Sequence, residues 1–167
     1  NNGSSDNCGI DTTAIDITDF DCTMIGANTV TLTVTDASGN TDTCSTTVTI
    51  EDITAPTPDQ TTITLVADQC EILATDITAP TATDNCGGTV TVTNDATFPI
   101  TAQGTTVITW SYEDVNGNIS TQTQNVYIND ISSPTPDAAT LVDITAECEV
   151  LATDVTAPTA TDNCSGT

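Results

Sequence analysis

The stretches "TVTLTVTD", Thr29–Asp36, and "VITWSYED", Val107–Asp114, decide the fold. In the first, Val30, Leu32 and Val34 share one face and Thr29, Thr31, Thr33 and Thr35 the other. In the second, Ile108, Trp110 and Tyr112 take the apolar places. Strict alternation of this kind marks a strand buried on one face. Both stretches run into a turn, "DASGN" at Asp36 or "DVNGN" at Asp114, where the aspartate can close an Asx turn and Gly39 or Gly117 can take a positive φ. The chain returns in "TVTI" and "NVYI", with Val48 and Ile50, or Val126 and Ile128, facing inward. Each copy therefore reads as a hairpin. Upstream, "TTITLV" from Thr61 and "GTVTVTN" from Gly88 supply further strands, with turn residues at the spacing of an antiparallel sandwich. No segment carries a helical period. The expected fold is all-β, immunoglobulin-like and antiparallel.

The two hairpins are one pattern written twice. The cysteines of three "DNC" triplets, Cys8, Cys86 and Cys164, stand 78 residues apart. The same step joins "EDITAPTPD" at Glu51 to "NDISSPTPD" at Asn129, and "DQCEILATD" at Asp68 to "AECEVLATD" at Ala146. Such self-similarity marks a repeat architecture, and no insertion or deletion is needed between these anchors. The expected organisation is the C-terminal part of one repeat over residues 1–52, a complete repeat over 53–130 and the N-terminal part of a third over 131–167, a window on a longer array. Pro56, Pro58, Pro134 and Pro136 lack an amide hydrogen and fix φ, which predicts short, stiff linkers and a rod.

Charge narrows the partners. The chain has 24 acidic residues, no Lys, Arg or His, and a formal charge of −24, so nucleic acid and anionic membranes are expected to be repelled. No apolar run is long enough for a membrane span. Low hydrophobicity with such a charge often means disorder, but regular Val, Ile and Leu, and Thr at about a quarter of positions, indicate a folded β protein.

Seven cysteines remain to be paired. Cys70 precedes Cys86, and Cys148 precedes Cys164, by the same sixteen positions, which predicts Cys70–Cys86 and Cys148–Cys164 bonds. The same offset sends Cys8 to a partner before Asn1. Cys22 and Cys44 are both missing from the next copy, as Ile100 and Gln122, which predicts that they bond each other. A small core needing such staples implies an oxidising, extracellular setting.

These residues resemble the hyalin-repeat (HYR) family. Its "C…AP.A.DNC" front half is matched by Cys70 through Cys86, its "G…V….D..GN" back half by Gly104 through Asn118, and its "D..AP" junction by the stretch from Asn129. The cysteine after "GN" is Cys44 in the first copy and Gln122 in the second, a departure from the family pattern. The resemblance implies immunoglobulin-like units in an extracellular protein. The Thr- and Asp-rich composition without basic residues also resembles the tandem repeats of giant Bacteroidetes surface proteins, above all the gliding-motility adhesins exported by the type IX system.

Little here supports chemistry. Without His or Lys there is no ordinary general base, so no catalytic residue is expected. Glu71 and Glu113 could form a carboxylate pair, but Glu113 aligns with Thr35. Zinc usually takes closely spaced cysteine pairs, and the chain has none. Calcium is the one metal candidate, through Asp52, Asp59, Asp130 and Asp137 at the junctions, with Glu51 beside them; a solvated acidic surface is the plainer alternative. The aspartates of the "DNC" triplets, Asp6, Asp84 and Asp162, read as turn residues. Thr rows are ordinary exposed strand faces, and "DTT" at Asp11 resembles a Bacteroidetes O-glycan acceptor. The expected function is a structural stalk or filament repeat of a very large secreted cell-surface adhesin. Its partners would be neighbouring repeats of the same chain, with external surfaces or glycans contacted from elsewhere. A carbohydrate- or partner-binding module and a calcium-stiffened matrix or sheath filament are the alternatives.

Overall fold

A computed structural model describes Gly3 and residues 5–164. The fold is all-β and of the immunoglobulin-like sandwich type, its described helical content being three single 3-10 turns. Contacts group the residues into two compact units. The first holds 1–59, 82–91 and 112–120, and the second 60–81, 92–111 and 121–167.

In the first unit, strands β1 (Ile10–Ile15), β2 (Gly26–Asp36) and β3 (Thr41–Ile50) form one sheet. β2 and β3 pair antiparallel from Gly26↔Ile50 to Thr35↔Thr41, and β1 lies along the other edge of β2 with a register shift between Ile10 and Thr12. The hairpin closes as expected. The Asp36 amide donates to the Asn40 carbonyl at 3.0 Å, and Gly39 sits at φ 85°, a conformation that costs a glycine nothing. Val30 is buried, while Leu32, Val34, Val48 and Ile50 are half-buried.

β4 (Thr57–Pro58) pairs antiparallel with β6 (Ala82–Thr83), Thr57↔Thr83 and Pro58↔Ala82. The pattern returns 78 residues on, in the second unit, as β10 (Thr135–Pro136) with β11 (Ala160–Thr161). The strands that precede the Pro-rich segments end at Ile50 and Ile128, well before Pro56 and Pro134, so the prolines do not themselves stop these strands; the Pro-rich segments are instead paired, in strands short enough to tolerate proline. Pro56 is fully buried.

β5 (Val66–Asp68), β7 (Thr91–Asn94), β8 (Gly104–Glu113) and β9 (Ile119–Ile128) make a four-stranded sheet in the order β5-β9-β8-β7. Ile108, Trp110 and Tyr112 of β8 and Val126 and Ile128 of β9 are at most 3% exposed, the inward face that alternation predicts. Ile72, fully buried, bridges Ile100. The strand expected from Thr61 instead begins at Val66 and runs parallel to β9, Val66↔Val126 to Asp68↔Ile128. The reason is local. The side-chain amides of Gln122 and Gln124 donate to the carbonyls of Gln60 and Thr64, at 2.8 and 2.9 Å, so side chains stand in for a backbone ladder over these residues. The Gln124 carbonyl oxygen in turn accepts from the buried Trp110 indole at 3.0 Å.

Between the fixed anchors the copies slip by one residue. The carboxylate of Asp16 accepts from the Thr31 amide, and that of Asp95 accepts from the Thr109 amide, although the 78-residue step sets Asp16 against Asn94. The second copy has one more glycine at the corner. Gly87 and Gly88 are both at positive φ, 71° and 92°, where the first copy has Gly9 at 92°. Phe20 and Phe98 are back in step.

Candidate functional site at the repeat junctions

Each of the two units contains one junction between 78-residue repeats, and the functional features gather there. A "DNC" corner folds the same way three times. The carboxylates of Asp6, Asp84 and Asp162 accept from the amides of Cys8, Cys86 and Cys164 two residues on, at 2.7, 2.9 and 2.9 Å. A short carboxylate side chain closing such a loop needs no ligand to explain it.

The corner cysteines are bonded, but not as their spacing predicts. Cys22 is joined to Cys86, with Cα atoms 5.0 Å apart, and Cys70 to Cys164, at 4.8 Å. Cys70–Cys86, Cys148–Cys164 and Cys22–Cys44 are not formed, and Cys8, Cys44 and Cys148 are exposed thiols. The register gives the reasons. Cys44 lies on β3 opposite Leu32, whereas Cys22 precedes Gly26, whose partner is Ile50; six residues of strand, roughly 20 Å, separate the two positions. Cys70 follows β5, where Asp68 pairs with Ile128 at the end of the repeat, while Cys86 follows β6, which pairs with β4 at its start. An offset of sixteen counts residues and does not say which ends of strands meet. Cys22 is held in a 3-10 turn, Cys22–Met24, whose cap Asp21 accepts from the Thr23 amide at 2.8 Å and its hydroxyl at 2.6 Å. The Thr23 hydroxyl and amide hold the Asp21 carboxyl below its ordinary pKa. In register, Cys86 and Cys164 are one position, so both bonds run from one repeat to the corner of the next. Each closes a long loop, worth roughly 4–5 kcal/mol in the chain-entropy account.

Carboxylates converge on the same corners. Oxygens of Asp52 and Asp84 lie within 4.8 Å of one another and of the Cys86 sulfur, and Asp130, Asp162 and Cys164 repeat that cluster. Both sulfurs are in disulfides, so neither can act as a thiolate ligand. Two carboxylates per junction remain, hard oxygen ligands suited to calcium rather than zinc. One oxygen of Asp84 is buried with no hydrogen-bond partner. Of the four calcium candidates, Asp52 and Asp130 belong to these clusters. Asp59 accepts instead from the Thr83 hydroxyl at 3.1 Å, and the Asp137 amide donates to the Thr159 carbonyl at 3.0 Å. The residues missed by the sequence reading are Asp84 and Asp162, whose recurrence beside cysteine was the available signal.

The turn of the second hairpin also reaches its junction. The Asp114 carboxylate accepts from the Asn116 and Asn118 amides and the Asn118 side chain, each at 2.8 Å, and the same side-chain amide donates to the Asp52 carbonyl at 3.0 Å. Burial pushes the Asp114 pKa up, but the bonds from Asn118, Asn116 and Gly117 outweigh it and hold the carboxyl below its ordinary value. Burial, with the Asp59 carboxylate nearby, raises the Tyr112 phenol. Trp110 and Tyr112 are 3% and 0% exposed, so neither is available to stack on a glycan, while Tyr127 is 37% exposed.

Residues 53–128 match the HYR-like domain with four cysteines. The matched stretch itself holds two, Cys70 and Cys86. Across the copies, however, cysteine marks four positions of the period, those of Cys70, Cys86, Cys22 and Cys44. Hyalin of Lytechinus variegatus is 34% identical over 154 residues, which is 83% of this chain and 28% of the length of that protein. No helix among the described residues is long and apolar enough to cross a membrane, and the disulfides fit an extracellular location. Together the two likenesses support a HYR-type repeat in this chain.

Proposed function

We propose that this chain is a non-catalytic structural segment, the stalk or filament of a very large secreted cell-surface adhesin. The observation that carries this reading is the twofold junction, in which each described disulfide ties one repeat to the "DNC" corner of the next. Its working partners are neighbouring repeats of the same chain, while contacts to external surfaces or glycans belong to other regions. The mechanism is mechanical. Buried cores and disulfides resist unfolding, paired Pro-rich junctions limit bending, and the like charge of −24 keeps copies soluble and apart. The composition further supports an adhesin of bacterial gliding motility, exported by a type IX system. Beads coated with antibody against residues 53–130 test both levels on live cells of the source organism. Beads that bind and travel along the cell establish a mobile adhesin, beads that bind and stay put leave a static filament, and beads that never bind remove the surface assignment.

The paired carboxylates favour a second reading, a calcium-stiffened matrix or sheath filament. Asp52 with Asp84, and Asp130 with Asp162, set two oxygen ligands beside each junction disulfide. Thermal melts in calcium and in chelator decide it, and indistinguishable melting temperatures remove it.

A further inference from the structure

The two disulfides overlap along the chain. Cys22–Cys86 closes a loop with a separation of 64 residues and Cys70–Cys164 one of 94, and residues 70–86 lie inside both. A chain under tension is loaded along its shortest covalent path, so the overlap decides which residues bear force.

We propose that the junction disulfides link the repeats into a covalent chain that carries tension past their β-sheets. The load path leaves the backbone at Cys22, crosses to Cys86, runs back along residues 70–86, and crosses from Cys70 to Cys164. The backbone alternatives, from 22 to 70 and from 86 to 164, are longer and stay slack. β2 and β3 lie in the first shielded loop and β7, β8 and β9 in the second. About sixteen residues of each 78-residue period are then loaded, and the strands inside the two shielded loops are spared the pull.

The period extends the pattern. Cys148 is the counterpart of Cys70 and Cys8 of Cys86, and both are exposed thiols. In an array of these repeats Cys148 takes the corner cysteine of a following repeat, and Cys8 reaches back to a preceding one, so each junction is closed by one bond. The inference concerns connectivity and holds whether or not the protein is an adhesin.

Single-molecule pulling tests it on the whole 167-residue chain, produced under oxidising conditions and held by terminal peptide tags rather than by thiols. With both bonds closed, about 40 residues are loaded and the stretched chain reaches roughly 140 Å, against roughly 580 Å for the free backbone. Dithiothreitol, which supplies two electrons and two protons per bond and leaves as its cyclic disulfide, is expected to lengthen the chain about fourfold. Cys164→Ser alone is expected to give roughly 360 Å before reduction, while Cys44→Ser leaves the short length unchanged. These lengths are read after unfolding, so they are set by which cysteines are bonded and not by the mechanical strength of the sheets. The proposal is overturned by no change on reduction. It is equally overturned by a starting length near 390 Å, which Cys22–Cys44, Cys70–Cys86 and Cys148–Cys164 bonds would give.

Discussion

The hairpins β2–β3 and β8–β9 share a pattern and differ in burial. Their turns are near copies. Asp36 accepts from the Ser38 and Asn40 amides at 2.8 Å and from the Asn40 side chain at 2.7 Å, as Asp114 does from Asn116 and Asn118. Yet the inward face of β8–β9 is at most 3% exposed, while on β2–β3 Val30 alone is buried, at 7%. The difference lies in what covers the face. In the second unit Ile72 and Ile100, bridged to each other, are buried as well and add apolar cover to the strand residues of that unit. Alternation writes a strand pair, and a covering layer turns it into a core.

The sharpest way to break that comparison is to empty corresponding sites. Trp110→Ala removes a buried ring and leaves the Gln124 carbonyl oxygen without its donor, and is expected to cost about 3–5 kcal/mol by urea unfolding. Leu32→Ala, at the equivalent half-buried position, is expected to cost about 1 kcal/mol. Equal losses would mean that the two faces are covered alike.

Acid separates the turns next. Hydrogen bonds from Asn40, side chain first and then backbone, hold the Asp36 carboxyl below its ordinary 3.8, and the Asp114 carboxyl is lowered as well. A carboxyl lowered by folding contributes stability above its unfolded pKa, and that contribution is lost as pH falls through the folded value. Asn in place of Asp keeps one acceptor oxygen but turns an amide toward the amide of Asn118 or Asn40. Asp114→Asn is therefore expected to lower Tm at neutral pH by about 2–4 °C, and the gap should close as pH drops below the ordinary 3.8. Asp36→Asn should show the same closure with a smaller gap, because Asp114 is 7% exposed and Asp36 is half-buried. A gap that persists in acid would show that the charge of Asp114 is not what the turn uses.

What the sequence disclosed follows the range of the physics. The strands expected from Thr61 and Gly88 shorten to Val66–Asp68 and Thr91–Asn94, but the two hairpins, their Asx turns and the corner aspartates rest on residues a few positions apart and stand where the pattern predicts. The disulfides do not, because the partner of Cys86 depends on Cys22 standing ahead of β2, a consequence of the Gly26↔Ile50 register. The pairing of Thr57–Pro58 with Ala82–Thr83 was hidden likewise, since a two-residue strand carries no alternation to read. The slip at Gly88 was masked because the copies fall back into step by Phe98. Asp84 was read for its bond to the Cys86 amide, and only the folded junction brings Asp52 to it.

That junction offers the smallest and most selective test. In Asp84 one oxygen holds the Cys86 amide and another is buried without a partner, close to a second carboxylate. Asp84→Asn preserves the corner, because the amide oxygen can still accept from Cys86, and replaces the unpartnered oxygen with a donor beside Asp52. In chelator this exchange is expected to stabilise the chain by about 0.5–1 kcal/mol, one hydrogen bond gained in place of an unmet acceptor. Asp162→Asn makes the same exchange at the next junction and should gain less, since no unpartnered oxygen is buried there among the described residues. Calcium inverts the order. If the ion binds the paired carboxylates, the parent chain gains stability on its addition and Asp84→Asn, with one ligand oxygen fewer, gains least. A parent indifferent to calcium, together with a stabilised Asp84→Asn, would make the corner carboxylate a cost that folding tolerates. The disulfide would then be the feature that the repeated "DNC" serves.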